Sequence, residues 1–436
     1  MNYQHPTQFP LTLEATAPFV SLGDDIRRVA DFRATASSLT LESDHVINLC
    51  ASRYAFLAGF AAALAGRKTT LLPPSSAAAI VAETAAAYGA CSIIDDHTVG
   101  SRFAPSRGAA SLVAPSQDFV ALIGHTSGST GGPTAHRKSW SSLRATAALN
   151  AAAIRRVLPP GAGQPWIVAT VPSQHMYGME LAVLLPLLCG FSIHAGQPLF
   201  PADVAQALSA VPAPRVLVST PVHLRSLVES GVSLPAVAVV VSATAPLSPE
   251  LARDVEDRFG TTLLEMFGST ETCVIATRRS ARERAWRPYP GITLEPAASG
   301  TLVSAPWLAG PTLLQDVLEV GAEGRFTVIG RNSDLIEVAG KRASLAELTR
   351  RLSSLPGVRD AYVLQADAPD AIGVRRVAAL VVAPGLSSGA VLDLLRPLVD
   401  AAFLPRPLVM VEALPRNQVG KIPRSEVLKM LPESAR

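Results

Sequence analysis

Between residues 46 and 242, short runs of apolar and β-branched residues alternate with stretches of helical length, several of them rich in alanine. The runs are Val46-Ile-Asn-Leu-Cys50, Thr69-Thr-Leu-Leu72, Cys91-Ser-Ile-Ile94, Phe119-Val-Ala-Leu-Ile-Gly124, Trp166-Ile-Val-Ala-Thr-Val171, Val216-Leu-Val-Ser-Thr220 and Val237-Ala-Val-Val-Val-Ser242. Strands this apolar are buried on both faces, and strands that alternate with helices build a mostly parallel α/β sheet. A chain of 436 residues exceeds one ordinary core and fits two or three domains.

The run ending at Gly124 leads into His125-Thr-Ser-Gly-Ser-Thr-Gly-Gly-Pro-Thr134. Read as the loop at a strand's carboxyl end, it offers backbone N–H groups freed by glycine and the hydroxyls of Thr126, Ser127, Ser129 and Thr130. Such a concave set of donors suits polyphosphate. It is not a Walker loop, because no Gly-Lys-Ser/Thr follows. Taken alone, it is also compatible with a flexible Gly/Ser connection, the lesser of the two readings.

Thr126-Ser-Gly-Ser-Thr-Gly-Gly-Pro133 resembles the phosphate-binding loop of the adenylate-forming superfamily, which includes acyl- and aryl-CoA synthetases, peptide-synthetase adenylation domains and luciferases. Further stretches follow in that superfamily's order: Ala243-Thr-Ala-Pro-Leu247, Phe267-Gly-Ser-Thr-Glu271, Gly330-Arg-Asn-Ser-Asp334 and Leu414-Pro-Arg-Asn-Gln-Val-Gly-Lys421. The likeness runs from about Val46 to the end of the chain. It implies a large N-terminal α/β domain, residues 1–330, and a small mobile α+β domain, residues 331–436, that carries the catalytic lysine. The lobe before Val46 looks shorter than is usual in the family.

Residue by residue, the resemblance implies the following roles. Thr126, Ser127, Gly128, Ser129, Thr130 and Gly131 would cradle phosphate, and Ala245 would lie in the adenine loop. The Phe267 ring would stack on adenine beside Gly268. Thr270 would donate to a phosphate oxygen, and Glu271 is a hard oxygen ligand for Mg²⁺. Asp316 and Arg331 would bond the ribose or phosphates, Ser333 would sit at the hinge, and Gly340 would line the tunnel of a thiol arm. His175, in Pro172-Ser-Gln-His-Met-Tyr-Gly178, would border the acyl pocket, where amino-acid-activating relatives place an Asp. Lys421 would be the catalytic lysine.

These parts imply an acid–thiol ligase. An aryl or acyl carboxylate attacks the α-phosphorus of ATP, pyrophosphate leaves, and the acyl-adenylate passes to the phosphopantetheine thiol of an acyl carrier protein or of CoA. The chain also departs from the family. Thr134 stands where the phosphate loop normally has Lys, with His136, Arg137 and Lys138 as the nearby cations able to replace it. Ala243 and Thr244 replace two glycines, and Ser333 replaces the usual hinge Asp. The alternative these departures motivate is a catalytically silent homologue that binds nucleotide or carrier protein.

Bulk properties restrict the rest. Net charge is +3, with 48% hydrophobic and 17% charged residues. No nucleic-acid field is implied, and basic residues do not interleave with aromatics. Cys50, Cys91, Cys189 and Cys273 form no Cys-x-x-Cys pair, which fits a reducing compartment. The first residues lack a signal-peptide pattern, and the apolar segments 49–66 and 181–191 are interrupted by Arg53 or by Pro186 and Gly190. The expectation is a soluble cytoplasmic protein without a membrane span.

Overall fold

The computed structural model describes residues 13–23, 25–73, 77–100, 112–127, 133–331, 335–338, 341–366, 375–417 and 420–432. For Thr126, Ser127 and Arg331 the description covers the backbone. Contacts divide the chain into two compact units. The first runs to Gly291 and takes in Ala305–Ala309; the second holds Ile292–Ser304 and the chain from Gly310 onward. The boundary expected at residue 330 does not follow this division, since 292–304 and 310–330 group with the second unit.

The first unit carries a five-stranded sheet in the order Cys91–Ile94, His45–Asn48, Thr69–Leu72, Val120–Ser127, Pro133–Ser139. The first four strands are parallel and the last is antiparallel to its neighbour. The apolar run expected to end at Gly124 therefore continues as strand through Ser127. The chain returns as a second strand, Pro133–Ser139, that periodicity did not indicate. Ser139 is the N-cap of the helix Trp140–Val157, its side chain accepting from Ser142 N–H.

A nine-stranded sheet completes this unit, in the order Arg287–Pro288, Cys273–Arg278, Thr262–Ser269, Val239–Ser242, Arg215–Ser219, Trp166–Ala169, Ser192–His194, Pro18–Leu22, Asp25–Arg28. The six strands from Thr262–Ser269 to Pro18–Leu22 run parallel. Their β-branched side chains pack with the helices Pro201–Ser209, Pro221–Glu229 and Pro249–Phe259 in one core, around Leu208, Leu217, Leu224, Val240 and Leu251. The helix Arg53–Ala65 is buried all the way from Arg53 to Leu64, as a helix apolar on every side must be. No helix among the described residues is long and apolar enough to cross a membrane.

In the second unit, Thr293–Ala297, Gly300–Ser304 and Thr312–Leu314 form an antiparallel sheet, and Asp316–Val320 pairs antiparallel with Phe326–Arg331. The strands Asp360–Gln365, Val377–Val382 and Leu408–Met410 form a further sheet. The helix Leu345–Ser353 opens at Ser344, whose hydroxyl accepts from Glu347 N–H at 3.3 Å and so caps the first turn. This helix turns Leu345, Leu348 and Leu352 into the core beside Val363 and Val381.

Candidate active site

The site of the first unit assembles where the two sheets meet. Thr262–Ser269 ends in Phe267-Gly268-Ser269, and Thr270 and Glu271 occupy the turn that leads into the antiparallel strand Cys273–Arg278. Gly268 is dictated by packing: a Cβ there would lie 2.2 Å from the Cys273 carbonyl oxygen. The turn is tied internally, because Thr272 N–H donates to the Ser269 hydroxyl at 3.2 Å and that hydroxyl also meets Thr272 Oγ1 at 3.1 Å.

Opposite this turn lie the two strands that flank the glycine-rich loop. Residues Gly128, Ser129, Thr130 and Gly131 are outside the described residues. The pairing beside them is described: Ser127 faces Pro133, Thr126 faces Thr134, Gly124 faces His136 and Leu122 faces Lys138. Alternate residues of a strand share a face of the sheet, so Thr134, His136 and Lys138 lie on the side of Gly124 and Arg137 on the other. A Cβ built on Gly124 would sit 3.1 Å from Thr270 Cγ2. The strand that leads into the glycine-rich loop and the Thr270–Glu271 turn are thus in contact.

Of the three basic residues near Thr134, two face this turn and one does not. His136 Nε2 lies 3.8 Å from Glu271 Oε1. Burial holds the imidazole below its ordinary value, against the pull of Glu271. Lys138, expected as a candidate for the γ-phosphate, is only 3% exposed, and its Nζ donates to the Glu271 carbonyl oxygen at 2.5 Å. It supports the turn from within. Burial pushes the Glu271 carboxyl up, but the Ser269 hydroxyl, the backbone and the charges of His136 and Lys138 outweigh it and hold the group below its usual range. Glu271 is therefore an anion at neutral pH.

Phe267 meets Trp286 with ring centroids 5.2 Å apart, and the Arg278 guanidinium lies 4.3 Å from the Trp286 centroid. Arg278 is fixed in turn by Glu265 at 2.7 Å. Sequence reading assigned the ring of Phe267 but not this backing. The bend after Val239–Ser242 holds Ala243, Thr244 and Ala245, and Thr244 has φ +80°. A β-branched residue is strained in that region. Thr244→Gly is expected to stabilise the protein by about 1 kcal/mol. Urea unfolding checks this; a midpoint unchanged or lower at constant slope would show that the threonine's contacts outweigh its strain.

His175 caps a short turn, its Nδ1 accepting from Tyr177 N–H at 3.4 Å. Gly178 is forced here, since a Cβ would approach the Pro172 carbonyl oxygen to 2.0 Å. The loop is anchored by Arg53, which had signified only an interruption of an apolar run. Arg53 is fully buried and donates to the carbonyls of Ala169, Val171 and Gly196 and to Ser173 Oγ. Burial lowers this guanidinium to about 9.

Beneath the Glu271 turn lies a buried carboxyl, Glu180, that sequence reading missed. Glu180 accepts from Val274 N–H at 3.2 Å and from Asn150 Nδ2 at 3.0 Å, and Asn150 Oδ1 accepts from Tyr289 OH at 2.8 Å. Burial raises Glu180 to about 7 from 4.5, against the Val274 N–H, Asn150 and Lys138. A carboxyl raised on folding contributes stability below about 4.5 that is lost as pH rises through about 7. Melting temperatures of wild type and Glu180→Gln are therefore expected to shift in the variant's favour between pH 5 and 7.5. A constant difference would contradict the raised value.

Two further sets lie in the second unit. Asp316 and Arg331, both assigned to the nucleotide, are directly opposed in the antiparallel pair. Lys421 is exposed and follows Gly420, whose φ is +78°. Its N–H donates to Asn417 Oδ1 at 2.9 Å, while its carbonyl accepts from Asn417 N–H at 2.8 Å. Arg416 anchors this loop, with two nitrogens on the Asp360 carboxylate at 2.9–3.1 Å and a third on the Gly420 carbonyl at 2.8 Å. Ser333 and Gly340 lie outside the described residues.

The model of the AMP-binding enzyme family matches residues 40–299, well over half of the chain. The chain belongs to this family of adenylate-forming enzymes. It is 29% identical over 325 residues to the 4-coumarate–CoA ligase of Halorhodospira halophila, which covers 72% of this chain and 78% of that one. It is 27% identical over 350 residues to a probable 2-succinylbenzoate–CoA ligase of Mycobacterium tuberculosis, covering 72% and 85%. The fold matches that of o-succinylbenzoate CoA synthetase from Bacillus subtilis in complex with its acyl-adenylate intermediate. That match has a TM-score of 0.78 and 18% identity and covers 96% of each chain. ATP-bound MatB from Rhodopseudomonas palustris gives 0.77 and 18%, covering 95% of this chain and 96% of that one.

Proposed function

We propose that this enzyme is an ATP-dependent acid–thiol ligase, which joins an acyl or aryl acid to AMP and then passes it to a phosphopantetheine thiol. The observation that carries the reading is the contact between the phosphate-loop strand at Gly124 and the Thr270–Glu271 turn, with His136 and Lys138 on the same face. The relatives named as CoA ligases support it.

The residues fit Mg²⁺. No group of three or more His, Cys, Asp or Glu suited to a metal exists among the described residues. A single ionised carboxylate with the substrate's phosphates is how Mg²⁺ is commonly held. Glu271 would hold it, and the bound ion would offset charge on the leaving pyrophosphate. Thr270 and the loop from Thr126 donate to phosphate oxygens. Phe267, backed by Trp286, gives adenine a flat surface. We assign Lys421 to the charge that concentrates between the attacking carboxylate and the α-phosphate, and Asp316 with Arg331 to the ribose side. His175 borders the acid, and the lack of an Asp in that loop disfavours an amino acid. Residues 331–436 would act as a lid hinged near Ser333, with Gly340 beside the thiol arm.

The acceptor is tested by incubating the enzyme with ATP, an accepted acid and either CoA or a phosphopantetheinylated carrier protein, and detecting the thioester by mass spectrometry. A thioester on either thiol is expected. Adenylate formed with no transfer to either would overturn the second half-reaction.

A further inference from the structure

Lys138 is an ammonium almost wholly removed from water, and such a charge costs several kcal/mol unless it is paired. Its surroundings satisfy it. Nζ donates to the Glu271 carbonyl at 2.5 Å, and its charge acts on the buried Cys273 thiol and Glu180 carboxyl against the effect of their burial. Glu180 in turn holds Val274 N–H, immediately after Cys273, which has φ +62° although it is not glycine. Trp307 Nε1 donates to Thr272 O at 3.2 Å. The peptide from Glu271 to Val274 is thus gripped residue by residue from its buried side, while the Glu271 carboxylate faces outward beside His136.

This grip rests on residues from separate elements: Lys138 from a strand of the other sheet, Glu180 from the helical segment Met179–Leu184 and Trp307 from the turn after Gly300–Ser304. Lys138 shares its strand face with Thr134 and His136. It brings positive charge to the turn from behind. Thr134, four residues earlier on that face, carries no charge.

We propose that Lys138 is the positioning residue of the metal-binding turn: bonded to the Glu271 carbonyl from its buried side, it orients Glu271 and supplies charge for Mg·ATP binding, independently of the acid. The inference rests on the function proposed above. Residues that orient a metal ligand typically contribute 10–100-fold in metal affinity or activity. A purely structural strut between the sheets would affect acid and nucleotide alike.

The test uses full-length Lys138→Met. The dissociation constant of Mg·ATP is measured by titration calorimetry without acid, and the KM of Mg·ATP and of acid by pyrophosphate exchange. The expected result is a rise of about 10–100-fold for Mg·ATP in both measurements, with the acid KM within about twofold. An unchanged Mg·ATP constant, or equal rises for Mg·ATP and acid, would overturn the proposal. If the single variant does not fold, Lys138→Met with Glu180→Gln removes both buried ionisable groups and is read in the same way. If that also fails, Lys138→Gln keeps a donor without the charge, and the same rise is expected. A wild-type enzyme that neither binds Mg·ATP nor exchanges pyrophosphate would bring down the functional reading itself. An active wild type with an unaffected variant would bring down this inference alone.

Discussion

Lys421→Ala is expected to reduce adenylate formation by about 10²–10³-fold. The reduction should appear in the rate of adenylation with little change in Mg·ATP affinity. In the role proposed for it, Lys421 would meet charge that is concentrated only as the carboxylate closes on the α-phosphorus, and such interactions lower the barrier without tightening the ground state. The substitution is also mild for the fold. Its side chain is exposed, and its loop is closed by backbone bonds to Asn417 and by Arg416 on Asp360, all of which an alanine keeps. Thioester formation from a preformed acyl-adenylate should survive, because the displaced bond is then the one already made. Stopped-flow or exchange kinetics against the preformed adenylate separate the two half-reactions. Equal losses in both would remove Lys421 from the role assigned to it.

Glu271→Gln is expected to be of similar size, about 10²-fold or more in kcat/KM for Mg·ATP, with a different signature. The carboxylate is an anion held low by Ser269 and nearby positive charge, and glutamine keeps its shape while removing that charge. Activity should therefore recover in part as Mg²⁺ is raised, which the Lys421 variant should not show. The Lys138 bond goes to the Glu271 backbone carbonyl and persists in this variant. A loss that no Mg²⁺ concentration relieves would argue that Glu271 acts on the turn's shape and not on a metal.

Much of the fold is legible in one dimension because buried parallel strands are so apolar. Val239–Ser242, Arg215–Ser219 and Thr69–Leu72 fall where β-branched runs place them. The early strands Pro18–Leu22 and Asp25–Arg28 were not legible. The first lies in a weakly patterned stretch and the second is an edge strand with exposed charges, so both resemble loop until Pro18–Leu22 pairs with Ser192–His194, some 170 residues on. Pro133–Ser139 is similar: Pro-Thr-Ala-His-Arg-Lys-Ser carries no alternation, and its strand state comes from pairing across the glycine-rich loop. The antiparallel strands between residues 293 and 331 follow the same logic.

At the site, the residues that form motifs could be named from the sequence. Those that support them could not. Arg53, Lys138 and Glu180 are ordinary charges in one dimension, and each is buried only because its partners arrive from elsewhere: Ala169 and Val171 for Arg53, Glu271 for Lys138, Val274 for Glu180. Separations of 94 to 133 residues leave no local signal of such pairing. Composition assigns a charge to the surface by default, and only the fold reveals the exceptions.

The most direct measurement is ATP–pyrophosphate exchange by the purified wild-type chain across aryl, short-chain and long-chain acids in the presence of Mg²⁺. The account predicts exchange that depends on both acid and Mg²⁺, strongest with one acid class, which would also name the substrate class. A folded protein that binds ATP yet exchanges pyrophosphate with none of these acids would contradict it and favour a silent nucleotide-binding homologue.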